Sequence, residues 1–198
     1  MKLTIATPKA IRYACQNFHY SKSVPSVQYG FNIYNANNEW CGVICYGGGA
    51  NPHIGKPYGL CQGEILELVR VALNGKQHKT SQCVAATLRK LHQINPLVKV
   101  VVSYADMDQG HNGIIYQATN WLYEGIKSKG ERCAFIVNGE RLHPKTVYSK
   151  KWKESVIWLQ QNVDQNAEVV ISKGKHKYLY FFDKKLLKKY KGLFKEYP

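Results

Sequence analysis

The sequence predicts a mixed α/β fold of the α+β kind: a single domain over residues 1–198, with a mostly antiparallel sheet flanked by helices. Three observations lead there. The 198 residues are 44% hydrophobic and 21% charged, the composition of a globular chain long enough to bury a core without staples. Segments of alternating or continuous apolar character trade places with segments of helical spacing. A strand–helix–strand step in the middle of the chain implies one parallel pair in an otherwise antiparallel sheet.

Thr7-Pro8 reads as an N-cap followed by proline in the first helical turn. Ile11, Ala14, Cys15 and Phe18 then recur at helical spacing, and the helix is expected to end near His19–Lys22. Strands over 27–34 and 40–46 flank the polar turn Asn35-Ala36-Asn37-Asn38 and form a hairpin. A glycine-rich loop runs from Gly47 to about Gly63, and 65–73 is a strongly apolar strand ended by Asn74-Gly75. Thr80 or Ser81 caps the next helix, whose apolar stripe is Val84, Leu88 and Leu91. The continuous apolar run 98–104 is a buried strand. A polar turn, 106–110, leads into a helix from about Asn112 to Tyr123, stopped by Gly125. Residues 132–137 read as a strand and 151–161 as a helix. A basic C-terminal hairpin (167–172 with 178–182) and a short Lys-rich amphipathic helix complete the chain, together spanning about 167–198.

The formal net charge is +15, with nine lysines against Asp183 and Glu196 in the stretch 172–198. Such an excess attracts polyanions and speeds their encounter, whatever the fold. The six cysteines show no Cys-x-x-Cys pair and read as reduced, mostly buried thiols. No apolar run reaches the length of a membrane span, and the N-terminal residues lack a secretory h-region. The expectation is a cytoplasmic protein with no membrane partner and no obligate protein partner.

The densest polar segment is Tyr104-Ala105-Asp106-Met107-Asp108-Gln109-Gly110-His111, placed where a buried strand ends and a helix begins. Ligands bind at such carboxyl ends of open α/β sheets. Tyr116 and Asn120 share a face of the expected helix, and Tyr116, with an ordinary phenol pKa near 10, acts as an acid more readily than as a base. Glu67 and Arg70 are charges in an apolar strand, which is costly unless they are paired. Strict alternation puts them on opposite faces, whereas a bulge between them brings them together. The loop 47–63 carries His53, Lys56 and Tyr58, cations and aromatics suited to cradling nucleic acid. P-loop, Gly-x-Ser-x-Gly, His-Glu-x-x-His and zinc-deaminase patterns are all missing.

Five segments together resemble the Mom proteins of Mu-like phages. They are His19–Pro25, Asn51–Tyr58, Glu67–Ala72, Ser103–His111 with its continuation to Ala118, and Val137–Pro144. Their order over about 19–150 carries the likeness; the Lys-rich end carries no such signature. The resemblance implies a GNAT-like fold, consistent with the element order above. It also implies an enzyme that converts adenine in duplex DNA to a carbamoylmethyl (acetamido) derivative on the exocyclic amine, protecting phage DNA from host restriction. By motif position the family's functional residues map to His19, Tyr20, Arg70, Asp106 and Tyr116. The cofactor is left unassigned. The resemblance suggests a transition metal, iron being the candidate, and acetyl-CoA is disfavoured because 74–82 lacks the Gln/Arg-x-x-Gly-x-Gly/Ala pyrophosphate loop.

The expected partner is double-stranded DNA with the target adenine flipped out. Asp106, with Tyr116 or His19, is expected to handle the amine proton, Glu67 and Arg70 to orient the donor, and Tyr20 or Tyr58 to stack on the base. Lys22, Lys56, Asp108, His111, Asn120, Lys150 and Lys151 are the expected substrate contacts. Two alternatives are a GNAT-type acyltransferase acting on a protein or small molecule, and a non-catalytic DNA-binding protein.

Overall fold

Thr7 caps the first helix as expected, its hydroxyl accepting from the Ala10 amide at 3.2 Å, with Pro8 in the first turn. The computed structural model describes all residues 1–198 and divides them into two compact units. Unit 1 comprises Met1–Tyr104, Gly113–Gly125 and Lys177–Pro198; unit 2 comprises Ala105–Asn112 and Ile126–His176. No helix is long and apolar enough to cross a membrane.

The elements in chain order are β1 (Lys2–Ile5), α1 (Pro8–Phe18), β2 (Tyr29–Tyr34), β3 (Trp40–Gly47), β4 (Ile65–Leu73), α2 (Thr80–Ile94), β5 (Val100–Asp106), α3 (Ile114–Gln117), β6 (Leu122–Lys127), β7 (Arg132–Val137), β8 (Glu140–Leu142), α4 (Pro144–Ser149), α5 (Val156–Asn162), β9 (Glu168–Ile171), β10 (Lys175–Phe181) and α6 (Lys184–Tyr190). Unit 1 is built on a seven-stranded sheet in the order β1-β2-β3-β4-β5-β10-β6. β1 to β4 pair antiparallel, and β4 with β5 form the expected parallel pair. Ile11, Ala14 and Cys15 of α1 pack with Val43, Cys45 and Ala72 from one face of the sheet. Tyr46, on the alternate face of β3, bonds Thr87 of α2 through its hydroxyl at 2.8 Å. A second core gathers Tyr58, Ile65, Val100, Val102 and Leu179, closed by Leu186 and Tyr190 of α6. Unit 2 is a three-stranded sheet, β8-β7-β9, whose Phe135 and Val137 pack with Val147 of α4 and Leu159 of α5.

Several expectations are corrected. The hairpin expected at 167–182 does not form: β9 pairs with β7 in unit 2, while β10 lies between β5 and β6. The helix expected over 112–123 is a single short segment, α3. Gly113 and Asn120 both have positive φ (82° and 60°), and the buried Trp121 and Tyr123 bracket the start of β6 instead. Tyr116 and Asn120 therefore share no helix face, and Asn120 stands exposed in the turn. Neither Thr80 nor Ser81 caps α2; Lys79 occupies that position with no side-chain bond. The helix expected over 151–161 is confined to α5, capped by Ser155. All six cysteines are free, four of them buried, with Cys61 exposed and Cys133 partly covered.

Gly113 is needed for two reasons: its φ of 82° disfavours a side chain, and a Cβ there would collide with the Tyr178 ring. Gly113→Ala is expected to lower stability by roughly 1–3 kcal/mol, measured by urea unfolding, because overpacking and backbone strain act together.

Candidate active site in unit 1

β4 bulges where its two charges required it. Leu68 pairs with Tyr46 and Arg70 with Cys45, so Val69 has no partner on β3. The extra residue brings Glu67 and Arg70 to one face, the face that packs against α1. β4 and β5 pair only from Ile65/Val100 to Glu67/Val102 and part beyond that point. Glu67 is thus the last paired residue before the sheet opens.

Ser103 bridges the opening. Its hydroxyl lies 3.2 Å from the Leu68 carbonyl and donates to the Tyr116 hydroxyl at 2.8 Å. Tyr116 is 7% exposed and rings with Trp121 and Tyr178 hold it in place. Burial pushes its phenol up to about 12; the Ser103 bond opposes the rise, and Tyr20 and Glu67 add to it. Tyr104 is also raised, by burial first and then by Glu67 and Glu124. Glu67 therefore acts electrostatically on two tyrosines at once.

Arg70 ties down the segment that follows α1. Its guanidinium donates to Ser23 Oγ at 2.8 Å, to Ser23 O at 3.3 Å and to Val69 O at 2.9 Å. Three acceptors use most of the fork, so Arg70 positions the His19–Ser23 segment. Within that segment His19 Nδ1 lies 2.9 Å from Ser21 Oγ, and the His19 and Tyr20 rings are 4.2 Å apart. Tyr20 is 49% exposed. Lys22 is exposed with φ 53°.

The loop 47–63 is anchored from below. Tyr58 is 2% exposed, its ring set edge-on against Phe181 and Tyr190, so it is a core residue and not a platform for a base. Its hydroxyl bonds Glu124 closely and accepts from Lys177 Nζ at 2.9 Å; Lys177 in turn pairs with Glu124 at 2.7 Å. Burial, then the Glu124 bond, drives the Tyr58 phenol far above its ordinary range. Lys56, two residues earlier, is exposed. Glu124 and Lys177 were not anticipated. Each is a charge inside an apolar stretch, the same signal that singled out Glu67 and Arg70.

In unit 2, Asp106 accepts from the Asp108 amide at 3.0 Å and so caps the turn Met107–Gln109. Asp108 holds the loop 172–174, accepting from the Lys173 amide at 3.0 Å and Ser172 Oγ at 3.1 Å. The Lys173 bond leads in lowering its pKa. His111, Lys150 and Lys151 are exposed, with Lys150 Nζ 4.9 Å from the Trp152 ring centre. The basic charge is concentrated in unit 1, which has eighteen Lys and Arg against six Asp and Glu; unit 2 has ten against seven. In α6, Lys184, Lys185, Lys188 and Lys189 all face solvent while Leu186 and Tyr190 face the core.

The expectation of iron is not supported. No group of three or more His, Cys, Asp or Glu side chains gathers anywhere in the chain. Of the set suggested by the resemblance, His19 Nδ1 is directed to Ser21 and an Asp106 oxygen to a backbone amide.

A parallel pair that opens beyond a bulge, inside a mostly antiparallel sheet, is a GNAT-like fold. A spermidine N-acetyltransferase from Vibrio cholerae matches 91% of this chain and 95% of its own with a TM-score of 0.51, at 9% identity. An acetyltransferase of Bacillus subtilis, solved in complex with CoA, matches 92% and 99% with a TM-score of 0.50, also at 9% identity. The Mom protein family model matches residues 1–198, and the chain belongs to that family. Methylcarbamoylase mom of Escherichia phage Mu is 26% identical over 193 residues, which is 94% of this chain and 78% of the phage protein.

Proposed function

We propose that this chain is a DNA-modifying transferase that converts adenine in duplex DNA to a carbamoylmethyl derivative on the exocyclic amine, protecting the DNA from restriction. The observation that carries this reading is the buried Tyr116 hydroxyl held by Ser103 at the point where β4 and β5 part, one residue past the last pair, Glu67 with Val102. Family membership supports the chemistry, since the phage Mu relative is named a methylcarbamoylase. The eighteen basic residues of unit 1 support a polyanionic partner.

In this reading a new N–C bond forms at the amine, which loses a proton. Glu67 accepts that proton, and Tyr116, kept protonated by burial, donates toward the group that leaves the donor. Arg70 fixes the segment bearing His19 and the exposed Tyr20. Asp106 is a second acid to be tested by Asp106→Asn. Lys22, Lys56, the α6 lysines, Lys150 and Lys151 hold phosphates. The N-cap of α2, Lys79, makes no side-chain hydrogen bond to the helix amides, and Lys76 and Lys79 precede the helix, so an anion such as a DNA phosphate is compatible with that end.

The test is mass spectrometry of nucleosides from a plasmid carried in cells that express the protein. The expected result is an adenine derivative heavier by the carbamoylmethyl group; an unmodified adenine pool overturns the proposal. A second reading, N-acyl transfer to a small amine, is favoured by the fold's likeness to acetyltransferases. It predicts acetyl-CoA consumption with such an amine and no change in the DNA.

A further inference from the structure

We propose that the pocket walled by the glycine-rich loop receives the flipped adenine, with the carboxamides of Gln28 and Gln62 reading its hydrogen-bonding edge. The proposal rests on the reading above and assigns the place of its substrate.

The pocket holds about 210 Å³. Sites for drug-sized ligands run to roughly 300–1,000 Å³, so this one suits a single heterocycle and excludes a nucleotide cofactor bound whole. No charged side chain lines it, although the chain carries a net charge of +15. A phosphate or carboxylate has no counterion there, whereas a neutral base meets Ile54, Leu60 and Leu66 across its faces. The polar side chains of the lining are the two glutamines. A carboxamide presents a donor beside an acceptor, the pattern that complements adenine's amine and its neighbouring ring nitrogen.

The glycines point the same way. At Gly48 the backbone lies outside the left-handed region, and an added Cβ would meet only Gln28 Nε2, at 3.6 Å. Neither conformation nor packing demands glycine at that position; what a side chain would remove is pocket volume. Gly49, also in the lining, packs directly against the Glu67 carboxylate. Gly49 is therefore the wall that stands between a base seated in the pocket and the carboxylate assigned to take its amine proton.

The experiment compares plasmid DNA from cells expressing wild type, Gly48→Val and Gln28→Ala. Nucleosides are quantified by mass spectrometry, and each purified protein is assayed for plasmid binding and thermal melting. Gly48→Val is expected to lower the modified adenine fraction at least tenfold, on the order of what steric exclusion from a pocket gives, with DNA binding and melting unchanged. Gln28→Ala is expected to lower it with the same pattern. Wild-type modification by both variants overturns the pocket assignment while leaving the DNA-modification reading standing. Should Gly48→Val melt early, Gln28→Ala decides: full modification by that variant overturns the assignment and reduced modification with intact DNA binding upholds it. An unmodified pool with the wild-type protein is the separate result that removes the parent reading.

Discussion

Tyr116→Phe is expected to cut DNA modification by about 10²–10⁴-fold, the usual contribution of a positioned proton donor, while the protein stays folded. The phenol ring packs against Trp121 and Tyr178, and phenylalanine keeps those contacts. The hydroxyl's structural role is one bond to Ser103, worth about 1 kcal/mol. Activity and stability should therefore separate cleanly, read by nucleoside mass spectrometry and urea unfolding of the same preparations. A pH profile adds a second check. With its pKa raised to about 12, Tyr116 stays in its donating form at all lower pH, so it imposes no alkaline decline on the rate through about pH 10. Retention of wild-type modification by the Phe variant would remove Tyr116 from the mechanism.

Lys177→Met is expected to be among the most damaging single changes to stability, about 3 kcal/mol by urea unfolding. Removing one partner of a buried pair leaves the other uncompensated, at a cost of about 3–5 kcal/mol. The low end applies because the Glu124 side chain keeps 20% of its exposure. Lys177 also donates to Tyr58, which packs under the loop that walls the pocket, so loss of modification should accompany the destabilisation. The double variant Lys177→Met/Glu124→Gln should recover part of the stability, because the stranded carboxylate is gone. A double variant no more stable than the single one would show that the ion pair is not the source of the effect.

How far the sequence could be read depended on whether the information was local. Residues 65–73 and 132–137 were legible to the residue, since runs of β-branched and apolar side chains specify a strand wherever it is placed. Glu67 and Arg70 stood out because charges in such a strand need a reason, and the bulge at Val69 supplies it. The 167–182 region misled for the opposite reason. Both strands exist, but each pairs with strands remote in sequence, and no local pattern encodes such partners. In 112–123, helical spacing of Tyr116 and Asn120 outweighed the alternation of Trp121 and Tyr123, and only the positive φ of Gly113 and Asn120 resolves the two. The Tyr58–Glu124–Lys177 network is legible on the same ground: Glu124 and Lys177 are charges inside the apolar stretches 121–125 and 175–181, as Glu67 and Arg70 are in β4. Tyr58 itself looked like a ligand-facing aromatic because nothing in its loop shows that Phe181 and Tyr190 come to cover it.

The strand order of unit 1 has a consequence for how the chain is made. β10 sits between β5 and β6, yet it is synthesised after both, with every strand and helix of unit 2 emerging in between. Until β10 arrives, the flank of β5 that it will occupy is an unpaired strand edge, the kind of surface that recruits other chains. Completion of the sheet must then await a contact distant in sequence, which slows folding and lengthens that exposure. Expression at low temperature, or alongside a chaperone that shields strand edges, should favour the folded product over aggregates, and chains interrupted before residue 175 should accumulate as insoluble material.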